Sequence, residues 1–406
     1  MRDRLRKVEM GHSLEDFLQE ELAGIEQRAL RRRLRALESP QGVQIQRDGR
    51  KLLNFSSNDY LGLASHPALR EAAMGEWERG GFGSGASRLI CGTLSAHEEL
   101  EAELADFKRT PAALSFSSGY AAALGTIPAL CGSGDVVILD KLSHACLVDA
   151  AHLSGAAIRV FHHNDLEKLE SHLRWAREKH PQGRVLIVAE SVYSMDGDLA
   201  PVAEIVELKD RYGAWFLLDE AHAVGVLGEE GRGLADRAGV ASRVEVQMGT
   251  LGKALGAHGA YIAGSAALRE FLINRARSFI FSTAQPAPVA AAARQALRIC
   301  RSAEGEDLRA SLRQNIAKLG EDLGLPQTAS AIIPLIIGGE SEAIEVSAKL
   351  LDSGFLVPAI RYPTVARGSA RLRVALSAKH SPENIQNLAE ALAGLNRVCA
   401  PRPRSR

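Results

Sequence analysis

The chain reads as an α/β protein: a mostly parallel, seven-stranded sheet in a large unit, followed by a smaller C-terminal α+β unit. Three observations carry this. Seven short apolar runs rich in β-branched residues fall between residues 112 and 263, with amphipathic stretches of helical period between them. Apolar residues fill consecutive rather than alternate positions of these runs, as in strands buried on both faces. Near 284–294 the chain turns rich in Pro and Ala, and new helix-like and strand-like segments follow.

In chain order, residues 1–50 read as an N-terminal helical segment. Leu14, Phe17, Leu18, Leu22 and Ile25 have helical spacing, and Ser13 followed by Glu15 and Asp16 is a helix start. Five of the nine residues Gln27 to Arg35 are arginine. They read first as a solvated helix face, with an anion-binding role as the competing interpretation. A large unit spans 51–288. Its expected strands are Ala112–Phe116, Val136–Leu139, Ile158–Phe161, Val185–Ala189, Trp215–Leu218, Val244–Met248 and Ala260–Ala263. Leu166–Lys179 and Val202–Arg211 are expected helices between them. Strand–helix alternation predicts helices on both faces of the sheet. A smaller unit spans 289–396, with strand-like Ile332–Ile337 and Arg371–Leu376. Residues 397–406 are expected to form a disordered tail.

Composition narrows the function. The 406 residues hold 49 basic and 49 acidic side chains, for a formal net charge of zero. A dedicated nucleic-acid partner is therefore not expected, since such proteins carry a basic surplus. The five cysteines, at 91, 131, 146, 300 and 399, form no C-x-x-C pair and suit a reducing compartment. No signal peptide or membrane span is expected, and the protein reads as cytoplasmic.

Three motif matches fail. Gly249-Thr250-Leu251-Gly252-Lys253-Ala254 ends like a nucleotide phosphate loop, but Gln247 and Ala254 stand where Gly and Ser or Thr are required. Gly81–Ala86 imitates a dinucleotide fingerprint but follows a helix-like segment, Arg70–Arg79, rather than a strand. Asp219-Glu220-Ala221-His222 spells a helicase box with no phosphate loop to serve. No H-x-x-x-H or Cys/His cluster suggests a metal.

The same residues suit another chemistry. Pyridoxal phosphate requires a lysine for its Schiff base, an acid for its pyridine nitrogen, donors for its phosphate and a flat group against its ring. Asp219 closes the strand Trp-Phe-Leu-Leu, where a carboxylate could keep the pyridine nitrogen protonated or simply cap a helix. Lys253 lies among small residues just after another strand, though most lysines are merely solvated. Thr250 precedes it by three positions. Ser117-Ser118-Gly119-Tyr120 follows a strand and opens a helix, which is either a phosphate site or an ordinary cap. His144 could lie on the ring and His222 could donate to the phenolic oxygen; either could equally be structural.

Together these segments resemble the α-oxoamine synthases, fold-type I pyridoxal phosphate enzymes, over residues 15 to 395. Asn54–Gly62, Gly83–Arg88 with His97–Leu100, Ser194–Asp198, Asp219–His222 and Gly249–Gly256 carry the resemblance in order. Ala257–Ser265, Val357–Val365 and Arg371–Arg373 are closest to the branch that condenses L-alanine with a pimeloyl thioester of coenzyme A or acyl carrier protein. Branches using glycine with a short acyl-CoA share the cofactor motifs. The resemblance implies catalytic roles for Lys253, His144, Asp219 and His222. It implies cofactor contacts from Gly119, Tyr120, His144, Ser194, Asp219, His222, Thr250 and Lys253, and from Ser282 and Thr283 toward a neighbouring subunit of a homodimer with shared sites. Asn58 and Arg373 would hold the substrate carboxylate, a role suited to a guanidinium. Thr364 and Arg31 would sit on the acyl side, with Arg361, Arg371 and Arg373 adding positive charge there. Ala86, Ala123 and Tyr362 depart from the family pattern and would tune the acyl pocket.

Overall fold

In the computed structural model, residues 13–395 are described, apart from 29, 326 and 327. The expected tail at 397–406 lies outside them. Seven strands form one sheet in the order Ala112–Phe116, Ala260–Gly264, Val246–Thr250, Trp215–Asp219, Val185–Glu190, Val136–Asp140 and Ala157–Phe161. Ala260–Gly264 runs antiparallel to both neighbours, and the other six strands share one direction.

The consecutive apolar residues have a direct explanation. Successive side chains of a strand point to opposite faces. Val137, Leu139, Leu186, Val188 and Leu217 enter one core beneath the helices Gly119–Leu130 and Ala145–Ser154. Ile138, Ile187, Phe216 and Leu218 enter the other, against Ser95–Phe107, Leu166–Lys179 and Val202–Arg211. Both faces are therefore apolar, and the alternating pattern of a half-solvated strand is absent.

Six of the seven expected strands lie within a residue of their observed limits. The exception, expected at Val244–Met248, runs Val246–Thr250. Residues Ala241–Arg243 form a short 3-10 turn, and the Glu245 carboxylate is committed to Lys209 Nζ at 2.5 Å and the Phe216 amide at 2.9 Å. The shift places Thr250 at the strand's end.

The C-terminal strands Ile332–Gly338 and Ala359–Ile360 flank Ala370–Ala375 in an antiparallel sheet. A hairpin not anticipated from the sequence, Gln44–Arg47 with Arg50–Asn54, turns at Asp48-Gly49, where both residues have positive φ (52° and 69°). Asp-Gly is a strong hairpin signal for this reason. Arg50–Asn54 then pairs in parallel with Phe355–Leu356. The expected boundary between residues 50 and 51 thus falls inside the hairpin's second strand, and the hairpin shares a sheet with the C-terminal part of the chain.

The helix Leu14–Gln27 begins as expected: Ser13 and Asp16 cap each other's amides at 3.1 and 3.2 Å. Arg31–Arg35, however, lie in irregular chain beyond its end, so these arginines do not form a helix face.

Glu220 has a structural task. It is fully buried, accepts from Lys108 Nζ at 2.5 Å and from the Ala235 amide at 3.0 Å, and points away from Asp219's side of the chain. Replacing Lys108 with Met is expected to leave this carboxylate uncompensated and to lower unfolding free energy by about 3–5 kcal/mol. Denaturant melts of wild type and Lys108→Met measure it.

Candidate active site

Three adjacent parallel strands end in buried carboxylates at one rim of the sheet: Asp140, Glu190 and Asp219. Glu190 and Asp219 are direct cross-strand partners. The carboxyl ends of parallel strands are where open α/β sheets bind ligands. Lys253 reaches this rim from the loop after Val246–Thr250. Gly256, with φ +61°, makes the loop possible: a Cβ there would lie 2.4 Å from the Ala64 amide nitrogen.

Lys253 is half-buried, and desolvation lowers its pKa against the opposing pull of Asp219 and Glu190. Burial raises Asp219, whose Oδ1 accepts only the Ala221 amide, at 2.9 Å, while Lys253 opposes the rise. Burial, and then the Asp219 charge, pushes Glu190 up to about 8. Glu190 was not anticipated, although an acid closing an apolar run is the same signal that marked Asp219. Its Oε1 accepts the His144 amide at 2.5 Å, which fixes the start of the helix Ala145–Ser154 and the ring that caps it. His144 has its pKa lowered by burial, with Asp219 pulling the other way.

His222 Nε2 lies 2.8 Å from Lys253 Nζ, and its Nδ1 lies 2.6 Å from the Tyr60 hydroxyl. Burial, reinforced by Lys253 and Arg373, holds His222 well below its ordinary pKa, so its ring is neutral. Tyr60 in turn lies 3.2 Å from Asn58 Oδ1, which accepts Arg373 Nη2 at 3.0 Å. Arg373 Nε donates to the Ser194 carbonyl at 2.6 Å. Ser194 thus enters through its backbone, and its hydroxyl bonds no described residue. Arg371, expected to add charge to an acyl site, is buried and spent on Asp196 at 2.9 Å and the Met195 carbonyl at 3.1 Å. That expectation is corrected: the residue ties the C-terminal sheet to the 194–196 loop.

Ser118 caps the helix Gly119–Leu130 through the Ala121 amide at 3.1 Å. The amides of Gly119 and Tyr120, at the first helical turn, have no intrahelical acceptor. Tyr120 is half exposed, with its hydroxyl bonded to Asp149. Thr250 Oγ1 donates to the Gly259 carbonyl at 3.1 Å and accepts the Gly252 amide at 3.2 Å. Thr283 pairs with Ser87, and it lines a small cavity with Ser282, Ser117 and Arg88. Arg31 pairs with Glu26 at 3.6 Å, and Thr364 lies exposed in the 361–369 loop, its amide donating to the Arg361 carbonyl at 3.0 Å. Among the described residues, no His, Cys, Asp and Glu group is arranged to hold a metal.

These residues fit pyridoxal phosphate. A half-buried lysine of lowered pKa acts on a carboxylate whose Oδ1 accepts the Ala221 amide, and a helix N-terminus offers its first amides to an anion. Sheet, rim and lysine together define a fold-type I pyridoxal phosphate enzyme. The chain belongs to the aminotransferase class I and II family, whose model matches residues 50–392. It is 46% identical over 94% of its length to 8-amino-7-oxononanoate synthase of Pelobacter propionicus, covering 98% of that protein. It is 48% identical over 92% of its length to the synthase of the same name from Methylococcus capsulatus, covering 96% of it. Among solved structures it resembles Sphingomonas wittichii serine palmitoyltransferase, with TM-score 0.88, 31% identity and 98% of each chain covered.

A further ion cluster underlies the rim. His163 Nδ1 lies 3.0 Å from Asp140 and Nε2 lies 2.6 Å from Asp198, with the ring edge-on to Tyr193. The two carboxylates overcome the burial that opposes them and raise His163 to about 9. Because this exceeds the ordinary value of 6.5, the stabilisation is complete below about pH 6.5 and is lost as pH rises through about 9. Chemical melts across pH 6 to 10 are expected to show about 3 kcal/mol of this loss in wild type. The same melts on His163→Gln should lack that component.

Proposed function

We propose that this chain condenses L-alanine with a pimeloyl thioester of coenzyme A or acyl carrier protein. The products are 8-amino-7-oxononanoate, carbon dioxide and the free thiol, in cytoplasmic biotin biosynthesis. The observation that carries this reading is the unbroken line of contacts from Lys253 through His222, Tyr60 and Asn58 to Arg373. It joins the lysine that would bind the cofactor to the guanidinium suited to an amino-acid carboxylate. The full-length relatives at 46% and 48% identity support alanine and the pimeloyl group as substrates. The likeness to serine palmitoyltransferase lies in a shared fold at lower identity.

Pyridoxal phosphate, when bound, supplies an electron sink for the pair left by departure of the amino acid's α-proton. The chain's residues do the rest. Lys253, whose pKa desolvation lowers, would take that proton. Asp219 would hold the proton on the pyridine nitrogen, His222 would donate to the phenolic oxygen and His144 would pack against the ring. Gly119, Tyr120 and Thr250 would hold the phosphate, and Thr283 and Ser282 would reach the phosphate of a neighbouring subunit. Asn58 and Arg373 fix the alanine carboxylate, which leaves as carbon dioxide after the α-carbon attacks the thioester carbonyl and expels the thiolate. Arg31 and Thr364 face the acyl substrate. Fixed donors and charges of this kind lower the barrier without reorganising. A homodimer is supported by the exposed apolar side chains beside the Ser282–Thr283 segment: Ile90, 79% exposed, and Phe281, 69% exposed.

Purified protein supplied with pyridoxal phosphate is expected to be yellow, with a visible band that shifts on adding alanine. Lys253→Ala should lower turnover by roughly 10^4-fold or more while keeping its melting temperature. A protein that fails to bind the cofactor would end this reading. Thiol release should be faster with alanine and pimeloyl-CoA than with glycine and acetyl-CoA. The reverse order would assign the chain to the glycine C-acetyltransferases instead.

A further inference from the structure

Tyr60 has no role in the reaction as set out above, yet it touches the residue that does most to connect the site. It is 1% exposed, and burial raises its pKa to about 12, so it is a neutral phenol with one proton to give. That proton has two destinations: His222 Nδ1 at 2.6 Å and Asn58 Oδ1 at 3.2 Å. Asn58 Oδ1 already accepts Arg373 Nη2 at 3.0 Å. The shorter contact, to the uncommitted nitrogen, takes the proton.

The consequence falls on His222. Lys253, Arg373 and His144 are the cations and titratable groups that act on it, and with burial they keep it neutral. A neutral imidazole carries a single N–H, and the hydrogen bond at one nitrogen decides which nitrogen holds it. With Nδ1 accepting from Tyr60, the proton sits on Nε2, the nitrogen that faces Lys253 at 2.8 Å; an ammonium there would compete as a donor, so this tautomer belongs to the state in which Lys253 is bound to the cofactor. The opposite tautomer would turn a bare lone pair toward the cofactor's phenolic oxygen and repel it. We propose that Tyr60 is a positioning residue that locks His222 in the Nε2–H form, so that a neutral histidine presents a donor to the phenolic oxygen. This rests on the assignment of His222 to that oxygen. It adds that Tyr60, through the same hydroxyl that borders Asn58 and Arg373, sets the donor's direction.

The test reads the tautomer directly. Histidine is labelled with ¹⁵N in cofactor-loaded wild type, and His222→Gln identifies its resonance. An Nε2–H, bare-Nδ1 pattern is expected; an Nδ1–H pattern overturns the proposal without reference to any variant. Tyr60→Phe keeps the ring and removes the hydroxyl. Hydrogen bonding to the phenolic oxygen draws charge from it and weakens its hold on the proton of the lysine–cofactor linkage. The pH midpoint for loss of that proton, read from the visible band, is therefore expected to rise by about one unit in Tyr60→Phe. A purely structural role predicts a lower melting temperature with the midpoint unchanged, and that result also overturns the proposal. Failure of wild type to take up pyridoxal phosphate in the same titration would refute the underlying cofactor reading instead, so the two failures are separable.

Discussion

Three parallel strands that end together bring three carboxylates together, and most of the site follows from that crowding. Asp140, Glu190 and Asp219 close adjacent strands at one rim and are all buried. Like charges held in a low dielectric are tolerated only when each is paired, hydrogen-bonded or protonated. Asp140 is answered by His163, Glu190 by the His144 amide and its own raised pKa, and Asp219 by the Ala221 amide and Lys253. Lys253 reaches the rim half-buried, where those carboxylates make an ammonium bearable while desolvation lowers its pKa. A bound cofactor with a protonated ring nitrogen beside Asp219 would relieve the same excess of negative charge.

The rim is completed from outside the large sheet. Arg371 and Arg373 alternate on the strand Ala370–Ala375, so both face the same way and both grip the 194–196 loop. Asn58 and Tyr60 follow the hairpin Gln44–Asn54, which pairs with Phe355–Leu356 of the C-terminal part. Arg373 and Asn58 on one side, and Asp219 and Lys253 on the other, are therefore carried by different sheets joined by side-chain contacts. A shift of one sheet against the other would move Arg373, Asn58 and His222 together, because the hydrogen bonds are continuous through them.

Particular elements show how far the sequence could be read. Consecutive apolar residues marked the strands because burial on both faces needs them, and acids or small residues at strand ends marked Asp219 and Lys253. The same signal was present at Glu190 and went unused, as was the Asp48-Gly49 turn. Tyr60 stands inside the segment Asn54–Gly62 but carries no signal of its own, since a single tyrosine beside a leucine is ordinarily core. Arg371 and Arg373 are indistinguishable in sequence. Only the contacts show that Asp196 neutralises the first while the second keeps donors beyond its bonds to Ser194 and Asn58.

The sequence by itself determined the α/β class, the strands and the cap at Ser13, and it offered Asp219 and Lys253 as groups of the chemistry that pyridoxal phosphate requires. Those properties are local: side-chain period, backbone preference and the chemistry of single groups. The tertiary structure alone decided that three strand-end acids share one rim, that Glu220 serves the core while Asp219 serves the site, and that His163 bridges Asp140 and Asp198. It also decided which proton His222 can hold. Such features depend on distances between residues far apart in the chain, down to the 315 positions between Asn58 and Arg373. No local pattern encodes a separation of that kind, because it is set by the packing of whole sheets and helices.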